Sequence, residues 1–259
     1  AYEDDKKPSW EPEAGIWAPD INYINGKYVM YYSLSKWGGG ATCGIGVSVS
    51  DKPEGPFTDQ GKLFRSNEID VHNSIDPFYI EDNGKKYLFW GSWYGIWGIE
   101  LKGGIENAKA TKIQVAANTG GTNAYEGSYI LKRGKYYYLF CSTGTCCDGA
   151  NSTYQTVVCR STELFGPYLN KSGDNMNDNK HEVLIHRNDA FLGTGHNAEI
   201  VQDDEGKDWI IYHAYRTADP SLGRVVLLDR VYWDDDDWPY LVGDGPVVKA
   251  EAPTFKKSK

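Results

Sequence analysis

The sequence predicts an all-β fold of the propeller type, with about four blades in this chain. Helical periodicity is almost absent. Short alternating apolar and polar runs, punctuated by Gly, Asn, Asp and Pro, recur throughout. One hairpin pattern then occurs four times, about 45–75 residues apart. A sandwich gives strands at even spacing without this larger period. Four strands per roughly 40–50 residues is the period of a propeller blade.

The elements follow in order. INYINGKYVMYYSLS (21–35) is a hairpin turning on Asn25-Gly26, a dipeptide suited to a two-residue turn. FYIEDNGKKYLFWGSW (78–93) repeats it around Asn83-Gly84, YILKRGKYYYLFCSTG (129–144) around Arg133-Gly134, and EIVQDDEGKDWIIYHAYR (199–216) around Glu205-Gly206. Each copy is followed by a further pair of strands, in 43–59, 95–101, 154–170 and 224–234. The first and third of these pairs end in Gly-Pro-aromatic turns, Gly55-Pro56-Phe57 and Gly166-Pro167-Tyr168. Blades therefore start near residues 15, 73, 125 and 193, within a single domain spanning 1–259. Residues 1–14 read as an approach loop, 171–182 as a long loop of the third repeat, and Asp234 to Asp237 as a solvated turn before Trp238-Pro239.

Composition narrows the function. Nineteen Tyr, 9 Trp and 8 Phe suit half-buried strands, and the surplus rings suit stacking on sugar faces. A net charge of −9 argues against nucleic acid, which needs clustered Lys and Arg. No apolar run is long enough to span a membrane, and the first residues, AYEDDKKPSW, lack the basic start and apolar stretch of a signal peptide. Five cysteines, Cys43, Cys141, Cys146, Cys147 and Cys159, form no disulfide framework, because adjacent cysteines such as Cys146 and Cys147 rarely bridge; reduced or buried thiols are expected. Nor do they have zinc spacing.

The innermost strand of a propeller blade faces a central channel, so the starts of the repeats converge there. Each carries a polar or acidic group: Asp20 in WAPD, Asp76 in NSIDP, Glu126 in YEGS and His196 in GTGHN. Strand starts facing a core are normally apolar. Convergent charges raise the pKa of some members, and glycoside hydrolysis needs one protonated carboxylic acid and one ionised carboxylate across the sugar. Singly, each motif has a bland reading. Asp76 before Pro77 also suits an Asx turn, and His196 also suits a satisfied core histidine. The recurrence favours a site.

Seven ordered motifs carry a specific resemblance: WAPDI (17–21), NSIDP (73–77), YEGSYI (125–130), CCDGANSTY (146–154), GPYLNKSG (166–173), GTGHN (193–197) and YHAYR (212–216). Together they resemble glycoside hydrolase family 43, and most closely its arabinan endo-1,5-α-L-arabinosidase group. CCDGANSTY distinguishes that group from the xylosidases. The resemblance implies a five-bladed propeller that cleaves α-1,5-linked L-arabinan with inversion. It implies Glu126 as general acid and Asp76 as the second carboxylate, holding the acid in place. His196 is implied as ligand of a central cation, a calcium ion, mostly through water. Trp17 is implied to line the sugar cleft. Asp20, Asn73, Ser92 and Arg216 join it in contacting substrate, Ser92 and Asn73 also by orienting the acid. His213, Arg216 and Arg224 alternatively brace the closing blade.

One departure stands out. The general base of the family is an Asp in the first blade, in a His-Asp-Pro-like segment, and nothing of that kind precedes WAPDI. Asp4 and Asp5 are weak substitutes in a Lys-rich segment. The first blade is therefore expected to be largely missing, and this polypeptide alone to be nearly inactive on linear arabinan. A fragment of an active enzyme and a natural four-repeat arabinan-binding propeller both fit, as does exo-acting arabinofuranosidase or xylosidase action. A protein-interaction propeller of the WD type lacks its repeat signatures. The expected partner is arabinan or an arabino-oligosaccharide, acted on by a secreted or periplasmic monomer.

Overall fold

A computed structural model describes residues 1–102, 111–117 and 125–256. Its strands form four sheets. The first runs β1 (Gly15–Ile24), β2 (Lys27–Ser35), β3 (Gly44–Ser50), β4 (Thr58–Arg65), each paired antiparallel with the next. The second runs β5 (Phe78–Asp82), β6 (Lys85–Trp90), β7 (Ile96–Glu100), β8 (Ile113–Ala116) in the same order. The third contains β9 (Tyr125–Arg133), β10 (Tyr136–Thr143), β11 (Gln155–Ser161) and β12 (Glu182–Ile185). The fourth places β13 (Phe191–Gly195) and β14 (Ile200–Gln202) on β15 (Asp208–Arg216), followed by β16 (Arg224–Trp233) and β17 (Pro239–Tyr240). Each sheet is one blade of the all-β propeller, with first strands beginning at Gly15, Phe78, Tyr125 and Phe191.

The turns explain the hairpins. Asn25 and Gly26 have φ of 50° and 83°, and Asn83 and Gly84 have 50° and 75°. Two successive residues in the left-handed region match the right-handed twist of the strands they join. In the third blade the turn falls on Gly134-Lys135, because Arg133 still belongs to β9. Both Gly-Pro bonds of the Gly-Pro-aromatic turns are cis, and Phe57 and Tyr168 that follow them are buried.

Two expectations need correction. The segments 95–101, 154–170 and 224–234 each hold one blade strand rather than two, the outer strands being β8, β12 and β17. Leu169 makes only isolated bridges, to Arg160 and Asn175, and the outer strand is β12, beyond the long loop. Buried Tyr168 and Met176 draw the chain off the sheet edge in between. The second correction is chemical: Cys146 and Cys147 are bonded to each other. That bond links neighbours in sequence, so it closes no loop and staples no distant segments. The other three thiols are buried, and burial pushes the Cys159 thiol up to about 12. The turn reading of 234–237 fits: Asp234 Oδ1 accepts the amides of Asp236 and Trp238.

The chain divides into two compact units, Ala1–Thr119 with Ala124–Ser128, and Gly120–Asn123 with Tyr129–Lys259. In the first, Tyr31, Ile45, Phe64, Ile69, Leu88 and Trp90 build a core, with Trp90 fully buried and its ring 4.9 Å from Phe64. In the second, the Asp203 carboxylate organises the turn into β15. It accepts the amides of Glu205 (3.0 Å), Lys207 (2.9 Å) and Thr254 (3.2 Å) and the Trp209 indole N–H (3.0 Å). Burial acts to raise its pKa, but those donors outweigh it and hold the carboxyl at about 2, below the usual 3.8. The folded pKa is the lower one, so the stability from ionised Asp203 is present above the unfolded value and is lost as pH falls from about 4 towards 2. Asp203→Asn is therefore expected to lower the urea midpoint at pH 7 and to flatten the acid limb below pH 4. Parallel acid loss in both proteins would rule this account out.

Candidate active site

Glu126 and Asp76 come together in the first unit. Glu126 is the second residue of β9 and is 7% exposed; Asp76 precedes β5 and is 6% exposed. Burial of two acids costs several kcal/mol unless each has polar partners. Both do. Ser92 Oγ donates to Glu126 Oε2 at 2.9 Å, and the amide of Gly127, next to Glu126, donates to Asp76 Oδ2 at 3.2 Å. One carboxylate thus holds the backbone that carries the other.

The segment bearing Asp76 is itself locked. Its own amide donates to Ser33 Oγ on β2 at 2.9 Å. Asn73 Nδ2 donates to the Ser92 carbonyl at 3.1 Å, so Asn73 braces the residue that touches the acid. Ser74 Oγ donates to the Val71 carbonyl and accepts the Trp90 indole N–H at 3.1 Å. Asn73, Asp76 and Trp93 all have positive φ, at 55°, 58° and 65°. Asn and Asp tolerate that region best, a bulky tryptophan poorly, and such strain gathers where a structure must hold a side chain in place. The Trp93 amide donates to the Tyr125 carbonyl at 2.9 Å, which fixes this turn beside Glu126.

Trp17 lies on β1 at the bulge between Trp17 and Asp20, half-buried, with the ring of Trp37 at 5.4 Å and tilted by 55°. Trp37 is 78% exposed. Sequence reasoning passed over it, although a tryptophan in the glycine-rich loop KWGGGAT was a usable signal. Ser33 and the Gly127 amide carried no signal, because their roles exist only across strands. Asp20 also ties β1 to β5: its Oδ2 accepts the Tyr79 amide at 2.6 Å and Asn22 Nδ2 at 2.9 Å.

His196, His213, Arg216 and Arg224 belong to the second unit. His196 sits where the inner strand breaks between β13 and β14, with φ of 49°, and its amide donates to Ser142 Oγ at 2.7 Å. Its ring lies 6.3 Å from that of His213, which stacks on Tyr154 at 5.7 Å. Burial, then the charge of Arg224, then His196 push His213 down to about 3. The ring is neutral, and since Arg224 Nη1 lies 3.2 Å from Nε2 and can only donate, its proton sits on Nδ1. Arg216 is exposed at the end of β15. Calcium prefers six to eight oxygen ligands. The described residues hold no group of three or more His, Cys, Asp or Glu side chains that could grip a metal, and His196 offers nitrogen. His196 is the residue that would hold such a cation, with water supplying most of its ligands, as the resemblance implies.

Two nearly buried carboxyl groups, coupled through a backbone amide at the starts of propeller blades, fit a glycosidase working by general acid catalysis. The comparisons with known proteins agree. The chain belongs to glycosyl hydrolase family 43, whose sequence profile matches residues 1–239. It is 34% identical over 258 residues to the extracellular exo-α-(1→5)-L-arabinofuranosidase of Cellvibrio japonicus, covering 90% of this chain and 73% of the relative. It is 34% identical over 226 residues to the extracellular endo-α-(1→5)-L-arabinanase 1 of Bacillus subtilis, covering 86% and 68%. The solved α-L-arabinanase of Cellvibrio cellulosa in complex with arabinohexaose superposes with a TM-score of 0.79 at 32% identity, over 91% of this chain and 82% of that one.

Proposed function

We propose that Glu126 is the general acid of an inverting endo-α-1,5-L-arabinanase site. The observation that carries the reading is the run Ser92–Glu126–Gly127–Asp76 in a family 43 chain whose relatives are named for α-1,5-arabinan. Ser92 donates to Oε2, which leaves Glu126 Oε1 to hold the proton delivered to the departing sugar oxygen. Asp76, through the Gly127 amide, fixes where that proton is presented. Trp17 and exposed Trp37 offer ring surface to more than one sugar, which supports cutting within a chain over trimming its end. The names of both curated relatives and the Cys146–Cys147 bond support action outside the cytoplasm, where disulfides persist. Detection of the protein in the culture medium rather than the cell lysate would test that.

The residues assembled here supply an acid, so the experiment supplies its own nucleophile. Linear α-1,5-arabinan is incubated with the chain, with and without sodium azide, which attacks without needing a base. With azide the expected products are internal-cut oligomers ending in a β-configured arabinosyl azide; Glu126→Gln should lower their formation by about 10²–10⁴-fold. Release of arabinose alone, or product formation indifferent to Glu126→Gln, would overturn the reading. Ser92→Ala should lower kcat about tenfold or more while KM moves little, since a hydrogen bond to a charged group contributes roughly 1.5–3 kcal/mol. A change confined to KM would place Ser92 on the sugar instead.

A further inference from the structure

The turn between β6 and β7 (91–95, GSWYG) displays two rings that the site above does not use. Trp93 is 43% exposed and Tyr94 54%. Rings scattered singly over a surface are ordinary. These two stand on a turn fixed to both acids. The Gly91 amide donates to the Ile75 carbonyl, beside Asp76, at 2.8 Å; Ser92 holds Glu126; and the Trp93 amide is held by Tyr125, beside Glu126. The turn is narrow: a methyl group on Gly91 would lie 2.2 Å from the Gly95 carbonyl oxygen, and both glycines have positive φ. A tryptophan at φ of 65° is strained, and a ring left half-exposed recovers little of that cost by burial.

Tyr94 is propped by its neighbours. The His72 ring meets it edge to face, with centres 4.4 Å apart and planes at 73°. The Tyr94 carbonyl accepts the Trp97 indole N–H at 3.1 Å. His72 also lies against Gly40, where a methyl group would come within 2.6 Å of Nε2. Gly40 belongs to the loop that carries Trp37, and its carbonyl accepts the Asn73 amide at 2.7 Å. One rim of the first unit thus runs from Trp37 through Gly40 and His72 to Tyr94 and Trp93. Its two ends flank different acids. Trp17, beside Trp37, pairs with Ser33, the residue holding the Asp76 amide. Trp93 follows Ser92, the residue holding Glu126.

We propose that Trp93 and Tyr94 bind sugars of the leaving half of the arabinan chain, with His72 as the positioning residue that sets the Tyr94 ring, roles that rest on Glu126 being the general acid of an arabinanase. The acid delivers its proton to the departing oxygen, so rings on its flank meet the sugars that depart with that oxygen. The turn 91–95 carries no charged residue, which suits a neutral saccharide laying its C–H faces on rings. Sugars held on both flanks of the acids fit a cut within the chain.

Two measurements on the whole chain test this: calorimetric titration with arabinohexaose and arabinobiose, and azide-supported cutting of arabinohexaose labelled at its reducing end. Tyr94→Ala, at an exposed position, should weaken hexaose binding by about tenfold, the effect of withdrawing one ring face from a sugar, and biose binding much less. Labelled fragments should become shorter, because the leaving half loses a contact. Gly40→Ala is compatible with the backbone, since Gly40 does not have positive φ. It should push His72 aside and weaken hexaose in the same way with the thermal midpoint unchanged. Added to His72→Ala, it should weaken hexaose no further. Unaltered hexaose affinity in Tyr94→Ala, equal loss for both saccharides, or longer labelled fragments would overturn the proposal. Binding of neither saccharide by the unsubstituted chain would overturn the arabinanase reading itself, and this proposal with it.

Discussion

Glu126→Gln is expected to lower azide-supported turnover of linear α-1,5-arabinan by about 10²–10⁴-fold, the usual contribution of a positioned general acid. The amide keeps the shape of the carboxyl and can still accept the Ser92 Oγ–H, so the buried pocket stays satisfied and the fold unchanged. What it lacks is the proton on Oε1. The loss should therefore depend on the leaving group. On an aryl arabinofuranoside whose phenolate leaves without protonation, the same variant should lose far less. A uniform loss on both substrates would show that Glu126 serves binding or folding instead, and the acid would have to be sought elsewhere. Parallel measurement of arabinohexaose affinity separates the cases, because a lost acid leaves binding intact.

Trp90→Ala should destabilise the first unit by about 3–5 kcal/mol, the range for deleting a large aromatic from a packed core. Trp90 is fully buried between the sheets of that unit, against Phe64, and the cavity left behind cannot be filled by the short strands around it. Thermal unfolding should shift down by about 10 °C. The same change removes the donor to Ser74 Oγ, in the turn that carries Asn73 and Asp76, so activity should fall further than unfolding at the assay temperature explains. Trp90→Phe separates the two effects: it keeps most of the ring volume and loses only the indole N–H. A thermal midpoint unchanged in Trp90→Ala would mean the core is not where the stability of this unit resides.

Much of the architecture was legible because its causes are local. Asn25-Gly26 and Asn83-Gly84 can reverse the chain in only a few ways, and alternation along β1 reports one sheet face at a time. The third blade was misread where local rules lose. Gly166-Pro167-Tyr168 looks like a strand turn, but the burial of Tyr168 and Met176 takes the chain away from the sheet until β12. Cys146 and Cys147 were misread because adjacent cysteines bond only when a particular loop geometry permits it, and no spacing rule reports that geometry.

The order of residues alone settled that the chain builds repeated four-stranded units and that Asp76 and Glu126 stand at corresponding starts of two of them, since strand period, turn chemistry and repeat length are properties of neighbours along the backbone. Folding decided how those acids are held. Ser33 receives the Asp76 amide from 43 residues away, and the Gly127 amide reaches Asp76 across 51. Folding also made Asp20 a tie between two sheets. A hydrogen bond is decided by distance and angle, and those are fixed only when separate strands pack.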